Sequence, residues 1–482
     1  MVNYKVILNF VSFLMILDGL AMLTGIPFSL YYGDNDVAVL LSTGLGIAVI
    51  GFVLYWFTKS KSKEISKREG YIVVTLGWIV MSFFGALPFV IHGAIPSFTD
   101  AFFETMSGFT TTGASILNNI EAVPHGLLFW RSLTQWLGGM GFIVLSIAIL
   151  PFLGIGGMQL FVAEVPGPTK DKIHPRVRET AKRLWGIYVI LSFAEFILLL
   201  IGGMSVFDAV NHTFTTMATG GFSTKQASIA AYPSPFIQYI IVLFMFMAGM
   251  NFSLHYYLLH RNFKQVYKNE EFRFYSFIIV AFTIVITIGL YSTHQVNFEL
   301  SFRDSLFQTV SMITTTGYVT ADYEMWGVFY HTLFFLMLFI GGSAGSTGGS
   351  VKVVRHWLLI KNSALELKRL IHPRAVIPVR YNNISVGKDI IFNIMAFLLF
   401  YIAIFVAGTI VMTMVGLDFL TAMGSVATSL GNVGPAIEGV GPSDNFSHIP
   451  DIGKWILSFL MMLGRLELFT VLIIFSPSFW KK

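Results

Sequence analysis

Cysteine is absent from the 482 residues, which excludes disulfides and thiolate metal sites. Charge is scarce too. Only 12% of the chain is Asp, Glu, Lys or Arg, about half of what a water-soluble domain carries. No G-x-x-x-x-G-K-[ST] occurs, so the chain has no nucleotide-binding loop of that kind. The first residues, Met1 to Lys5, lack a charged leader, and no small-residue cleavage site follows the apolar run. That run reads as a retained helix.

Apolar residues are abundant. They make up 55% of the chain, and the mean hydropathy is +0.72. A membrane span needs roughly 20 apolar residues, and stretches of that kind recur from end to end. Lys and Arg gather in four loops, Lys59–Arg68, Lys170–Arg183, Arg261–Arg273 and Lys352–Lys388. With Lys5, Lys481 and Lys482 these hold 26 of the 31 basic residues. The alternate loops carry acids instead, among them Asp34, Asp36, Glu121, Asp322, Glu324, Glu438, Asp444 and Asp451. Short basic loops stay in the cytoplasm, so this alternation predicts a multi-pass protein with both termini inside. A nucleic-acid surface would gather its charge on one face, and no nucleic-acid partner is expected.

Two helices are predicted first, over 5–31 and 37–58, joined by the turn Tyr32 to Asp36. Spans follow near 70–93, 128–150, 182–204, 234–259, 273–292, 328–360, 388–415 and 453–476. Between the members of each later pair lies a segment too short and polar to cross. Each begins with Asp and reaches Gly thirteen residues later: Asp100 to Gly113, Asp208 to Gly221, Asp304 to Gly317 and Asp418 to Gly431. With only 12 Asp in the chain, four matches in one register mark an internal repeat. The helices that follow repeat as well, placing Gly139, Gly249, Gly342 and Arg465 at one position.

The predicted fold class is an all-α polytopic membrane protein. Four pseudo-fourfold helix–pore loop–helix repeats surround a central pore, with two extra N-terminal transmembrane helices. The expected units are 1–60 for the N-terminal pair, then repeats over 68–155, 176–260, 270–361 and 385–482.

Bare backbone cannot face lipid, so four loops of this kind must line a water-filled path or be buried in protein. Rings of backbone carbonyls replace the hydration shell of potassium. The expected filter residues are Thr110, Thr111, Thr112 and Gly113; Ala218, Thr219, Gly220 and Gly221; Thr314, Thr315, Thr316 and Gly317; and Thr428, Ser429, Leu430 and Gly431. Their glycines permit positive φ, which turns successive carbonyls toward an axis. The four Asp residues read as N-caps of the short helices. A lone Thr-Thr-Thr-Gly is an ordinary turn; four in register are not.

Arg465 stands near the middle of the last predicted span, where a charge must face a pore or a partner. It reads as a positive charge below the filter, against the plainer reading of an ion pair with Glu467 or another acid. The run Gly341, Gly342, Ser343, Ala344, Gly345, Ser346, Thr347, Gly348 and Gly349 interrupts the 328–360 stretch, since each Gly costs about 1 kcal/mol in a helix. Part of it matches G-x-S-x-G, but that nucleophile pattern needs a strand-to-helix elbow. An intramembrane serine hydrolase is therefore a poor alternative, and the chain is read as a non-enzyme. A sodium- or proton-coupled carrier of the same fold is the other alternative.

These loops resemble the selectivity filters of the Trk/Ktr/HKT superfamily of potassium transporters, across essentially the whole chain. The two extra helices and the length are similar to its bacterial TrkH branch. The resemblance implies potassium uptake across the bacterial inner membrane, with K+ as transported ion and no organic cofactor in this chain. It implies that Gly341–Gly349 is an intramembrane gating loop and that Arg465 limits flow. It also implies a homodimer on a cytosolic TrkA-like nucleotide-binding regulatory subunit. Ala218-Thr-Gly-Gly221 and Thr428-Ser-Leu-Gly431 depart from Thr-Thr-Thr-Gly, which implies selectivity less stringent than in a homotetrameric channel.

Overall fold

A computed structural model describes residues 2–59, 66–144, 177–294 and 297–481. Half of Lys170–Arg183, part of Lys59–Arg68, the end of the expected 128–150 span, and Lys482 lie outside the described residues. So do the expected unit boundaries at 60, 155 and 176.

The N-terminal pair forms a hairpin. Tyr4–Met22 continues through a 3-10 turn into Ile26–Tyr32, and Val37–Thr58 returns beside it. Small residues set how closely they pack. A side chain on Gly44 would come within 2.8 Å of the Gly19 carbonyl, and one on Gly51 within 2.9 Å of the Ser12 carbonyl. Close backbone approach of this kind is how helices associate where lipid removes the hydrophobic drive.

The four repeats follow. The first is Lys67–His92, pore helix Phe98–Phe109 and His125–Val144. The second is Val177–Ile201, pore helix Val206–Met217, then Pro235–Ala248 and Phe252–Leu259. The third is Glu270–His294, pore helix Phe298–Ile313, then Val328–Met337 and Val353–Ile371. The fourth is Lys388–Met414, pore helix Phe419–Gly431, then Asp451–Arg465 and a short segment over 469–475. Among the described residues, six helices are long and apolar enough to span, or eight if each bent pair counts as one. The strand content among them is a two-residue hairpin pairing Arg380–Tyr381 with Ile384–Ser385.

The closing spans depart from the expected continuous helices. In repeat 2 the chain bends by 108° between Ala248 and Phe252. Asn251 caps the second half at this bend, its side chain accepting from the Ser253 N–H at 2.8 Å. In repeat 4 the chain bends by 109° after Arg465, where Glu467 and Leu468 take φ of 61° and 41°. Repeat 3 breaks over 338–352, at the glycine-rich run.

The Asp residues also differ from expectation. Ser97 and Ser205 cap the first two pore helices, and Asp100 and Asp208 sit in the first turn. Asn297 caps the third. Only Asp418 is itself a cap. Asp208 and Asp304 serve instead as anchors for the segment above the loop, accepting from the Thr224 hydroxyl at 2.6 Å and the Thr320 hydroxyl at 3.2 Å.

Candidate functional site

At the end of each pore helix the chain makes the same two-step reversal. Thr111, Thr219 and Thr315 take φ of 54°, 53° and 59°, and Gly113, Gly221 and Gly317 take 83°, 74° and 79°. Left-handed backbone at a β-branched residue is strained and persists only where its surroundings enforce it. Hydrogen bonds do so. The Thr112 N–H bonds to the Ser107 carbonyl, and Gly220 to Thr215 and Thr316 to Ser311 at the same 2.8 Å.

The fourth repeat makes this reversal three residues later than the spacing predicts. Thr428, Ser429, Leu430 and Gly431 are the last turn of its pore helix. The left-handed pair is Asn432 at 54° and Gly434 at 104°, with the Val433 N–H bonded to Thr428. Gly431 is thus replaced at the equivalent position by Gly434, and Ser429 by Asn432. The cause is the cap. Ser97 to Gly113, Ser205 to Gly221 and Asp418 to Gly434 each span sixteen residues. Asp418 occupies the serine position, so counting thirteen from it stops one turn short. Asn-x-Gly after the helix was the available signal, since Asn tolerates left-handed backbone.

The four glycines close a ring. A Cβ on Gly113 would strike the Gly220 carbonyl, one on Gly221 the Thr316 carbonyl, and one on Gly317 the Val433 carbonyl. One on Gly434 would lie 3.0 Å from the Thr112 carbonyl. Each repeat's glycine therefore faces the residue before the glycine in the next repeat, and the fourth returns to the first. Gly431 is outside this ring, against the Leu338 carbonyl at 3.0 Å. Above the ring an outer cavity of about 90 Å³ is lined by Gly113, Gly221, Gly317 and Gly434 together.

Buried side chains hold the loops from behind, and most were not singled out from sequence. Arg131 bonds to Glu104 at 2.7 Å and to the Ser223 carbonyl at 3.1 Å, joining repeats 1 and 2. The same Glu104 carboxylate receives the Ser115 hydroxyl and the Ile116 N–H. Gln135 donates to the Gly220 carbonyl at 2.7 Å and accepts from the Phe222 N–H at 3.1 Å. Asn432 donates to Thr112 Oγ1 and the Met461 carbonyl, both at 2.9 Å. Thr110 pairs with Thr112 and Thr314 with Thr316 through their hydroxyls, while Thr219 donates to the Ala218 carbonyl.

The glycine-rich run packs beneath the ring. The Gly341 N–H bonds to the Val351 carbonyl at 2.8 Å and closes the neck of the loop. Ser343 donates through its N–H to the Gly249 carbonyl, and Ser346 through its hydroxyl to the Ser343 carbonyl. The Ala344 N–H meets Glu271, and Gly345 and Ser350 take the left-handed turns. Thr347 bonds to the Met217 carbonyl at 3.0 Å, at the end of pore helix 2, and the Gly349 N–H to Thr315 Oγ1 at 2.6 Å. Gly342 lies 2.9 Å, by its missing Cβ, from the Gly249 carbonyl. Ser343 follows a helix and irregular chain, not a strand, so the nucleophile pattern has no elbow here.

Arg465 is the last residue of its helix and is buried at 5% exposure. It donates to the Thr347 carbonyl at 2.7 Å and to the Gly138 carbonyl at 3.1 Å, tying the loop to repeat 1. Glu467, a candidate partner for it, pairs with Arg355. Arg355 and Lys352, counted among the cytoplasmic cations, are buried at 1% and 7% exposure.

The model of the TrkH family, described as cation transport protein, matches residues 39–482. The Trk system potassium uptake protein TrkH of Escherichia coli strain K12 is 42% identical over 487 residues, covering 100% of both chains. The TrkG protein of the same organism is 34% identical, covering 99% of both. The crystal structure of the potassium transporter TrkH from Vibrio parahaemolyticus superposes with a TM-score of 0.89 at 37% identity, over 99% of this chain and 100% of that one. With a family match over most of its length and relatives at this identity, the chain belongs to the TrkH family of cation transport proteins.

Proposed function

We propose that this chain takes up potassium across the bacterial inner membrane, passing each ion through the ring of Gly113, Gly221, Gly317 and Gly434. The observation that carries this reading is the ring closure, in which each glycine abuts the next repeat's carbonyl. Thr112, Gly220, Thr316 and Val433 supply oxygens at one level, and oxygens so arranged substitute for the water around a desolvated cation. Side-chain replacements at the glycines would push those oxygens apart. The pore helices end at this ring, and their negative ends favour a cation beneath it.

In this reading Gly341–Gly349 and Arg465 form the closed inner side of the path. The loop is built for displacement: it has no helical hydrogen bonds to lose, and it is held by a few polar contacts and by the Arg465 bridge. The units of repeats 1 to 4 act together, each supplying one quarter of the ring. The chain works as a homodimer with a cytosolic nucleotide-binding subunit, which would account for the basic helix Val353–Ile371 ending with Leu367, Leu370 and Ile371 exposed.

The test is rubidium uptake into vesicles holding the purified chain, at fixed voltage and with sodium as competitor. Saturable rubidium uptake that sodium inhibits weakly supports the reading. Gly113→Ser should lower the rubidium-to-sodium flux ratio about tenfold, the equivalent of 1.4 kcal/mol. An unchanged ratio would count against the ring as the filter.

A further inference from the structure

Lys352 ends the glycine-rich segment, just before the helix Val353–Ile371. A buried ammonium needs a built partner, because an unpaired charge is expensive to desolvate. Its partner is the Gly348 carbonyl, which accepts from Nζ at 2.5 Å. That carbonyl belongs to the stretch touching the ring from below. A Cβ on Gly348 would lie 2.9 Å from the Thr314 carbonyl and 3.4 Å from Thr315 Oγ1.

The surroundings carry surplus positive charge. The charged groups that act on Lys352 are Glu467, Arg465, Arg355 and Glu271. Together with Lys352 these are three cations and two carboxylates, and Glu467 is engaged with Arg355. The cavity that Lys352, Arg465 and Glu467 share with the loop is about 10 Å³, room for one water at most. A potassium ion arriving from the ring would meet both an occupied carbonyl and this charge.

An ammonium is a monovalent cation that takes the same oxygen ligands as potassium, and lysine delivers it on a flexible tether. We propose that the Gly348 carbonyl is an inner monovalent-cation site, and that the Lys352 ammonium fills it in the closed state as a built-in competitor of potassium. The ammonium must leave before an ion can pass. This lock is distinct from the arginine bridge, since Arg465 grips the neighbouring Thr347 carbonyl and Gly138. The inference rests on reading the ring as the ion path.

Because the chain has no cysteine, Lys352→Cys installs its single thiol. Rubidium uptake by that variant in vesicles should rise about three- to tenfold, as expected when roughly 1 kcal/mol of barrier is lifted. Aminoethyl methanethiosulfonate then restores an ammonium. The thiolate attacks the reagent sulfur, an S–S bond forms and methanesulfinate leaves. Uptake should return to near the parent rate, whereas the neutral methyl reagent should leave it high, with intact mass reporting both adducts. Lys352→Met should match the cysteine variant, and Lys352→Arg should stay near the parent. Parent-like uptake by both the Cys and Met variants would overturn the proposal, as would equal restoration by the neutral reagent. A parent chain that carries no rubidium would defeat the path itself instead.

Discussion

Repeats 1 to 3 and repeat 4 reach the same ring from different sequences. The first three place Thr at the first left-handed position and enter it from helices in which Asp is not the cap. The fourth uses Asn432, and its Asp is the cap. The difference teaches that the equivalent positions are those fixed by backbone conformation and by contact with the neighbouring repeats, not by a constant count from one residue type. A ring cannot close on three members, so the fourth loop is placed by the partners on either side of it.

The sharpest way to break that comparison is to add one methyl group at each candidate glycine of repeat 4. Gly434→Ala forces a side chain onto left-handed backbone 3.0 Å from the Thr112 carbonyl, and rubidium uptake in vesicles should fall at least about tenfold. Gly431→Ala would also bring its methyl 3.0 Å from a backbone carbonyl, that of Leu338, but it sits on helical backbone where alanine is favoured, and its loss of uptake should be clearly smaller than that of Gly434→Ala. Equal losses from both would mean that repeat 4 works in the register its sequence spacing suggests.

A second contrast lies behind the ring. Repeat 1 holds its exit segment through the buried Glu104–Arg131 pair, whose side chains are 1% and 2% exposed. Arg131→Met leaves that carboxylate buried without its partner and should cost about 3–5 kcal/mol. It should be visible as a clear drop in the thermal unfolding midpoint in detergent. The Asp100–Lys454 pair bridges to repeat 4 with Lys454 buried at 5% and Asp100 at 26% side-chain exposure, and Lys454→Met should lower the midpoint less, because the carboxylate it leaves behind keeps contact with water.

A modest gain, and no loss, is expected at the position aligned with Gly139, Gly249 and Gly342. Arg465→Ala removes the bridge between Thr347 and Gly138 and should raise rubidium uptake about threefold, with sodium competition unchanged. No rise would reduce the arginine to a structural clasp.

How much of this was legible follows from which forces act locally. The spans and the fourfold repeat are written in apolar runs and Asp–Gly spacing. The bend at Asn251 was not, because an Asn inside an apolar stretch reads as helix until its cap role is seen. Nor was the burial of Lys352 and Arg355, since basic residues just past a span look like ordinary cytoplasmic charge, and only the folded loop brings Glu467 to Arg355. Glu104 and Arg131 lie 27 residues apart in sequence and could not be paired from it. The fourth register failed for one reason: Asp418 has two possible places in a capped helix, and only the ring chooses between them.

Electron density for a heavy potassium congener, rubidium or thallium, soaked into the purified protein would bear on that choice most directly. The account predicts an anomalous peak on the axis between the carbonyls of Thr112, Gly220, Thr316 and Val433. A peak against Leu430 and Gly431, or none between the four carbonyls, would contradict it.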